Sequence, residues 1–359
     1  MKISKVNFYR LKSGVTIISL ITTDGIEGLG QFINFSFKSQ KSYFDELLKP
    51  KLINKKIDPK TIWQELFWYA HGRNGWIQLI SAVDIAIHDI LSKSKKKPLY
   101  KYLKLKLKKK NQMYWSIGHG YKKTIYEMQK KIEIGLKLGF EAFKIRMDWH
   151  ELRTDVNLKK DFKMLKSIKS MMPKKFYLGF DANGGYSVKK AIYQGKRFED
   201  LGGISHFEEP IATNDLFGLR EVVKNLKIPV SFGEYEKTVS RFLEIIKISN
   251  LDIIQPDILN VGGIDQTLKV IKLAKKHKKK IMPHSPDIGI LCFASLHLSG
   301  EYSKLPHEFS PEIYKYQMKE HDKIFNENIL PINGGIVLDE KKYGIGLSLN
   351  KRELKKQLV

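Results

Sequence analysis

The chain has 359 residues, room for two domains or one large elaborated one, and its 42% hydrophobic and 11% aromatic content excludes general disorder. A single cysteine, Cys292, excludes an internal disulfide framework and a Cys-x-x-Cys zinc ribbon. Lys and Arg number 64 against 38 acids, a net charge of +26 that raises nucleic acid or an anionic membrane as a partner.

Only eight of those 64 are arginines, the residues whose planar fork grips phosphate, and the lysines spread along the chain with one dense stretch at Lys95–Lys110. The charge therefore reads as a solvated lysine surface, with no specific nucleic-acid partner. The N-terminus lacks an apolar signal core. The run Val15–Ile21 is strand-sized and interrupted by Ser19, far short of the ~18 apolar residues of a membrane span. No membrane association and a cytoplasmic location are expected.

In chain order, Lys2–Leu11 and Val15–Thr22 alternate as hairpin strands around Ser13-Gly14. Asp24-Gly25-Ile26-Glu27-Gly28-Leu29-Gly30 reads as a glycine-rich turn and loop. Helical periodicity follows at Lys41–Leu52, Pro59–Tyr69 and Ile77–Leu91. From Asn111 onward, short apolar segments recur at Tyr114–Ile117, Ala142–Arg146, Phe176–Asp181, Ile204–Glu208, Val230–Glu234, Ile253–Asp257, Ile281–His284 and Leu305–Glu308. Helix-length segments separate them, among them Tyr121–Leu138, Gly263–Lys279 and Ser187–Leu201 with Ser187 as its N-cap. Eight strands alternating with helices predict an α/β fold, a (β/α)8-type modified TIM barrel of ~200–250 residues. The rival, a doubly wound open sheet, lacks a Gly-x-Gly-x-x-Gly opening a helix. The expected division is an α+β capping domain over 1–112, the barrel over 113–325, and a segment 326–359 that returns to the cap.

The strand ends carry the chemistry. Asp181, Glu208 and Glu234 close successive strands at intervals of 27 and 26 residues, one βα unit each. In a barrel such ends lie side by side on the C-terminal rim. One acid alone is an ordinary cap or loop residue; three at this spacing form a hard oxygen set suited to Mg2+. Asp257 follows 23 residues later and His284 another 27. On neighbouring strand ends, Asp257 would fix the imidazole tautomer and leave the other nitrogen to move a proton. Alternation puts Lys144 and Arg146 on the barrel-interior side of the second strand. Lys144 reads as an acid, a base or a counter-charge, and Arg146 alternatively as an ion-pair partner of Asp181 or Glu208.

With these residues in place, the sequence resembles the enolase superfamily, in its mandelate racemase/muconate lactonizing enzyme-like branch, over nearly its whole length. The resemblance implies one Mg2+ on Asp181, Glu208 and Glu234, and a His–Asp dyad of His284 and Asp257, the latter in Asp257-Ile-Leu-Asn-Val-Gly-Gly263. The run Ser81-Ala82-Val83-Asp84-Ile85-Ala86-Ile87-His88-Asp89 is similar to the family's cap-to-barrel segment. Glu308, in Pro-His-Glu-Phe, matches the eighth-strand acid that hydrogen-bonds the substrate carboxylate. Two departures stand out. Arg146 occupies the position of the second lysine of Lys-x-Lys, a poor proton acceptor there, and Gln31 stands where the family often has an acid.

The implied reaction is abstraction of the α-proton of a carboxylate, with one base, His284, leading to β-elimination of water. The expected activity is a Mg2+-dependent sugar-acid dehydratase acting on a small-molecule carboxylate. In it Asp257 orients His284, Lys144 and Glu308 hold the carboxylate and enediolate, and His284 can return its proton to the departing hydroxyl. A racemase, epimerase or cycloisomerase with Lys144 as second base is the alternative, and a silent barrel binding polyanions the remote one. Selectivity is assigned to Thr22–Phe37 and His71–Gly75, with Arg73 a partner for distal substrate groups. The resemblance also implies a homo-oligomer.

Overall fold

A computed structural model describes residues 1–33, 36–71, 76–148, 154–285, 288–312 and 322–359. Strands β1 (Ile3–Arg10), β2 (Val15–Thr22) and β3 (Glu27–Ile33) form an antiparallel sheet in that order. The third strand corrects the reading of Asp24–Gly30 as a loop, because its glycines serve packing rather than turning. A Cβ on Gly28 would lie 2.1 Å from the Ala86 carbonyl oxygen, and one on Gly30 1.9 Å from that of Ala82. Helix Ile77–Ser94 thus lies directly on the strand backbone. Asp89 of that helix accepts from Leu29 N and, through its other oxygen, from Ile345 N of the C-terminal segment.

Strands β4 (Asn111–Ile117), β5 (Ala142–Arg146), β6 (Tyr177–Asp181), β7 (His206–Glu208), β8 (Val230–Phe232), β9 (Ile253–Ile254), β10 (Lys280–Ile281) and β11 (His307–Phe309) are parallel, in the order β11-β4-β5-β6-β7-β8-β9-β10. Ser303 joins the two ends of this order: its N–H donates to the Ile281 carbonyl and its hydroxyl accepts from Ile281 N. The ladders of β9 and β10 stop short of the expected Asp257 and His284. Pro256 and Pro283 follow, and neither carries an N–H to extend pairing. Beyond the prolines, Asp257 and His284 still meet in an isolated parallel bridge. Inside the barrel Tyr114, Ala142, Ile253 and Met282 pack together, while the main core fills the space between strands and helices. Thr124, Asn157, Ser187, Asp215 and Thr238 each cap a helix by accepting from its third residue's N–H.

Near the chain's end, β12 (Gly335–Ile336) pairs antiparallel with β4, and Leu358 bridges to Leu11. Among the described residues no helix is long and apolar enough to cross a membrane. Lys144 is the one lysine among them that is buried, the rest being exposed or half-buried.

Helix Ile77–Ser94 also meets the barrel through a buried histidine. His88 Nδ1 lies 2.9 Å from the Asp84 carbonyl oxygen, and its Nε2 3.4 Å from Asp265 Oδ1. Burial opposes the His88 charge, but the carboxylates of Asp84 and Asp265 outweigh it and push the pKa from 6.5 up to about 9. A pKa raised by folding contributes stability that is full below the unfolded value and lost as pH rises through the folded one. The unfolding free energy in urea is therefore expected to fall between about pH 6.5 and 9, by at most about 3 kcal/mol from this group. His88→Gln should make that slope shallower, leaving the share of other histidines raised by folding; an unchanged slope would remove His88 as a contributor.

Candidate active site

The three acids of the expected cation set converge. Oxygens of Asp181, Glu208 and Glu234 lie within 4.8 Å of one another, and all three residues are buried. Asp181 and Glu208 end adjacent strands, paired residue to residue. Glu234 stands two residues after Phe232, which faces the outer core, so strict alternation would turn it away from the barrel axis. Gly233, at φ +117, breaks the alternation and turns Glu234 inward.

Lys144 is the cation beneath this cluster. Its Nζ is 2.5 Å from Glu208 Oε1, 3.3 Å from Glu308 Oε1 and 3.6 Å from Asp181 Oδ2. Burial opposes its charge, but these carboxylates hold its pKa well above the ordinary lysine value. The other oxygen of Glu208 lies 3.1 Å from His206 Nε2 and accepts from Gln255 Nε2 at 2.8 Å. Burial lowers the pKa of His206, whose Nδ1 lies 3.0 Å from the Tyr177 hydroxyl.

One lysine does not balance the acids. Burial and then the charge of Glu208 raise Asp181 well above the carboxylate range, and burial also raises Glu234. Glu209, next in sequence, is raised by burial and by Glu234, and its Oε1 is buried without a hydrogen-bond partner. An orphaned oxygen beside three convergent hard donors fits a divalent cation of the Mg2+ type held by Asp181, Glu208 and Glu234.

The dyad forms on the neighbouring ends. His284 Nδ1 lies 2.7 Å from Asp257 Oδ2, while Asp257 Oδ1 accepts from Leu259 N at 2.6 Å and Asn260 N at 3.2 Å. Asp257 is thus fixed as the cap of the short helix Ile258–Val261, and the imidazole must present Nε2 to the site. That nitrogen is 3.3 Å from Glu234 Oε2 and 3.7 Å from Glu308 Oε2. Burial opposes the His284 charge, but Glu234 and Asp257 push its pKa up to about 10. Burial likewise works against Glu308, yet Lys144 and His284 bring it below the ordinary range.

Arg146 departs from the expected ion pair with Asp181 or Glu208. Lys144 takes those carboxylates, and the guanidinium lies at the rim, with Nη1 3.6 Å from Asp148 Oδ1 and Nε buried without a hydrogen-bond partner. Arg73, most of His71–Gly75 and part of Thr22–Phe37 lie outside the described residues.

The sequence reading missed His206, Gln255, Tyr177 and Asn183, the last donating to both oxygens of Asp181. The signal was available in the strand period. Tyr177 and His206 stand four and two residues before Asp181 and Glu208, and Gln255 two before Asp257, the spacing that shares one face; Asn183 lies past its strand at φ +48, where the period does not reach.

Two family models match the chain: "Mandelate racemase / muconate lactonizing enzyme, N-terminal domain" over residues 9–103 and "Enolase C-terminal domain-like" over residues 127–354. An arabinonate dehydratase of Saccharolobus solfataricus is 29% identical over 91% of this chain and 86% of its own length. An L-talarate/galactarate dehydratase of Salmonella typhimurium is 26% identical, covering 94% of this chain and 81% of its own. Among solved structures, a mandelate racemase/muconate lactonizing protein from Paracoccus denitrificans, complexed with magnesium, superposes at a TM-score of 0.92. It is 25% identical and covers 100% of this chain and 98% of its own.

Proposed function

The chain belongs to the enolase superfamily, in its mandelate racemase-like branch, and from that premise we propose that it is a Mg2+-dependent sugar-acid dehydratase. The observation that carries this reading is the asymmetry of proton-moving groups. One side of the site holds a His284–Asp257 dyad that turns Nε2 toward Glu234, whose charge a bound cation would offset so that this nitrogen can lose its proton, and the strand across the rim ends in Arg146. Arginine holds its proton too tightly to act as a second base. The similarity to two proteins named as sugar-acid dehydratases points the same way.

In this reading Asp181, Glu208 and Glu234 hold the cation, which supplies charge to stabilise the enediolate when bound. His284 Nε2 takes the proton from the carbon next to the carboxylate, and the C–H electron pair moves into the enediolate. Asp257 holds the tautomer that makes this possible and stabilises the imidazolium formed. The enediolate then expels the neighbouring hydroxyl, which leaves as water with the proton from His284, and the enol becomes a 2-keto-3-deoxy acid. Lys144 offsets the charge that develops; Glu308, kept ionised beside it, has no proton to donate to the substrate carboxylate, so in place of the role expected from the sequence it accepts from a substrate hydroxyl. The same proposal divides the chain into a cap (1–112), a barrel (113–325) and a returning segment (326–359).

The test is a screen of aldonic and aldaric acids for keto-acid release with Mg2+ present. Release from one or a few of them supports the reading. Interconversion of α-epimers, with no keto acid from any of them, would replace it with the racemase or epimerase alternative and promote Lys144 to base.

A further inference from the structure

The cation ligand Glu234 and the dyad residue Asp257 follow different strands, yet one residue, Asn260, touches both segments. Asn260 donates its backbone N–H to Asp257 Oδ1 at 3.2 Å, and its Nδ2 donates to the Glu234 carbonyl oxygen at 3.0 Å. Its remaining amide oxygen accepts from Gln78 Nε2 at 3.0 Å. The two side-chain bonds fix the amide orientation, since Nδ2 and Oδ1 cannot exchange places without losing both.

Gln78 lies in the first turn of helix Ile77–Ser94, whose later residues clamp the same barrel turn. Ser81 Oγ donates to the Leu259 carbonyl at 2.6 Å, and Asp84 Oδ2 accepts from Ile264 N at 2.6 Å. Trp63, on helix Pro59–His71, donates to the Gly262 carbonyl at 2.8 Å. The backbone approach is close, because a Cβ on Gly263 would lie 2.3 Å from Asp84 Oδ2. The turn that carries Asp257 is therefore held from residues 182, 178, 180 and 199 positions away in sequence.

We propose that Asn260 is a positioning residue that sets the cation ligand and the proton-moving dyad in one register, with Gln78 of the N-terminal helix holding its amide. Asn260 touches neither the reacting atoms nor the carboxylate of Glu234; it acts through Asp257 and the Glu234 backbone. Partners one step removed from such groups typically carry 10–100-fold of affinity or activity. The proposal rests on Glu234 as a cation ligand and Asp257 as the orienter of His284.

The experiment compares wild type, Asn260→Ala, Gln78→Ala and the double variant in the full-length protein. Mg2+ binding is followed by calorimetry, α-proton exchange in D2O by NMR, and kcat and KM on the acid found in the screen. Asn260→Ala is expected to weaken Mg2+ binding and to lower kcat and exchange by about 10–100-fold, with KM changed less than threefold. Gln78→Ala should show a smaller loss of the same kind, and the double variant should be no worse than Asn260→Ala, because both act on one chain of bonds. Thermal unfolding separates this from a folding defect, and Gln78→Ala provides a readout if Asn260→Ala folds poorly. Loss of stability with Mg2+ affinity, exchange and kcat unchanged would overturn the role, as would additive losses in the double variant. If wild type neither binds Mg2+ nor exchanges the α-proton, the site reading falls and this inference with it; a wild type that does both leaves the variants to decide Asn260 alone.

Discussion

His284→Asn is expected to lose nearly all turnover while keeping cation and carboxylate binding. Asparagine fills similar space, so the surroundings of Asp257 and Glu308 persist, but it has no nitrogen able to take a proton near neutral pH. General-base catalysis typically contributes ~10²–10⁴-fold, and more where no substitute base stands nearby. The opposite side offers no substitute in Arg146, and Lys144 is bonded to Glu208 at 2.5 Å and held well above the ordinary lysine pKa. Exchange in D2O of both α-epimers of a substrate separates the alternatives. Wild type should exchange the epimer whose α-proton faces His284, and the other should bind as an inhibitor. Asp257→Asn should also be severe, because it frees the imidazole to adopt the wrong tautomer. Equal exchange of both epimers, or near wild-type dehydration by His284→Asn, would promote Lys144 from counter-charge to base.

The barrel was legible because each βα unit repeats the same job at nearly the same length. Intervals of 27, 26, 23 and 27 residues mark the strand ends from Asp181 to His284 without reference to three dimensions. The site acids could be read for the same reason: an ionisable residue after an apolar strand is visible as a break in pattern. What escaped was polar residues within the strands or just past them. His206 and Gln255 are buried within short segments whose apolar neighbours face the helices, and only period-two counting back from Glu208 and Asp257 exposes them. Gly28 and Gly30 were misread because glycine signals a turn by default, whereas here it makes room for the Ala82 and Ala86 carbonyls of a helix more than fifty residues away. Asn260 was invisible for a stronger reason, since its role depends on Gln78, 182 positions distant. Local pattern reports the period of a strand, and only packing reports which side chain from another element meets it.

Removal of the divalent cation is expected to abolish turnover, and Mg2+ to restore it. The argument is electrostatic. Asp181, Glu208, Glu209 and Glu234 are buried together, and the cationic groups within reach, Lys144 on Glu208 and His284 on Glu234, are fewer than the acids. Uncompensated buried carboxylates cost several kcal/mol each unless protonated or paired, which is why burial raises Asp181, Glu209 and Glu234. A divalent cation held by Asp181, Glu208 and Glu234 would offset that repulsion. Glu234→Gln preserves shape and removes one charge, so it should weaken Mg2+ binding by at least tenfold in calorimetry, with the circular dichroism spectrum unchanged. Its unfolding free energy without metal should hold or rise, because one member of a repelling cluster is gone; with saturating Mg2+ the wild type should gain more stability than the variant, following their difference in affinity. A merely structural Glu234 predicts the reverse, a variant less stable without metal and an equal response to Mg2+. Full activity of rigorously chelated wild type would overturn the cation assignment for all three acids at once, since none of them has another task in the proposed chemistry.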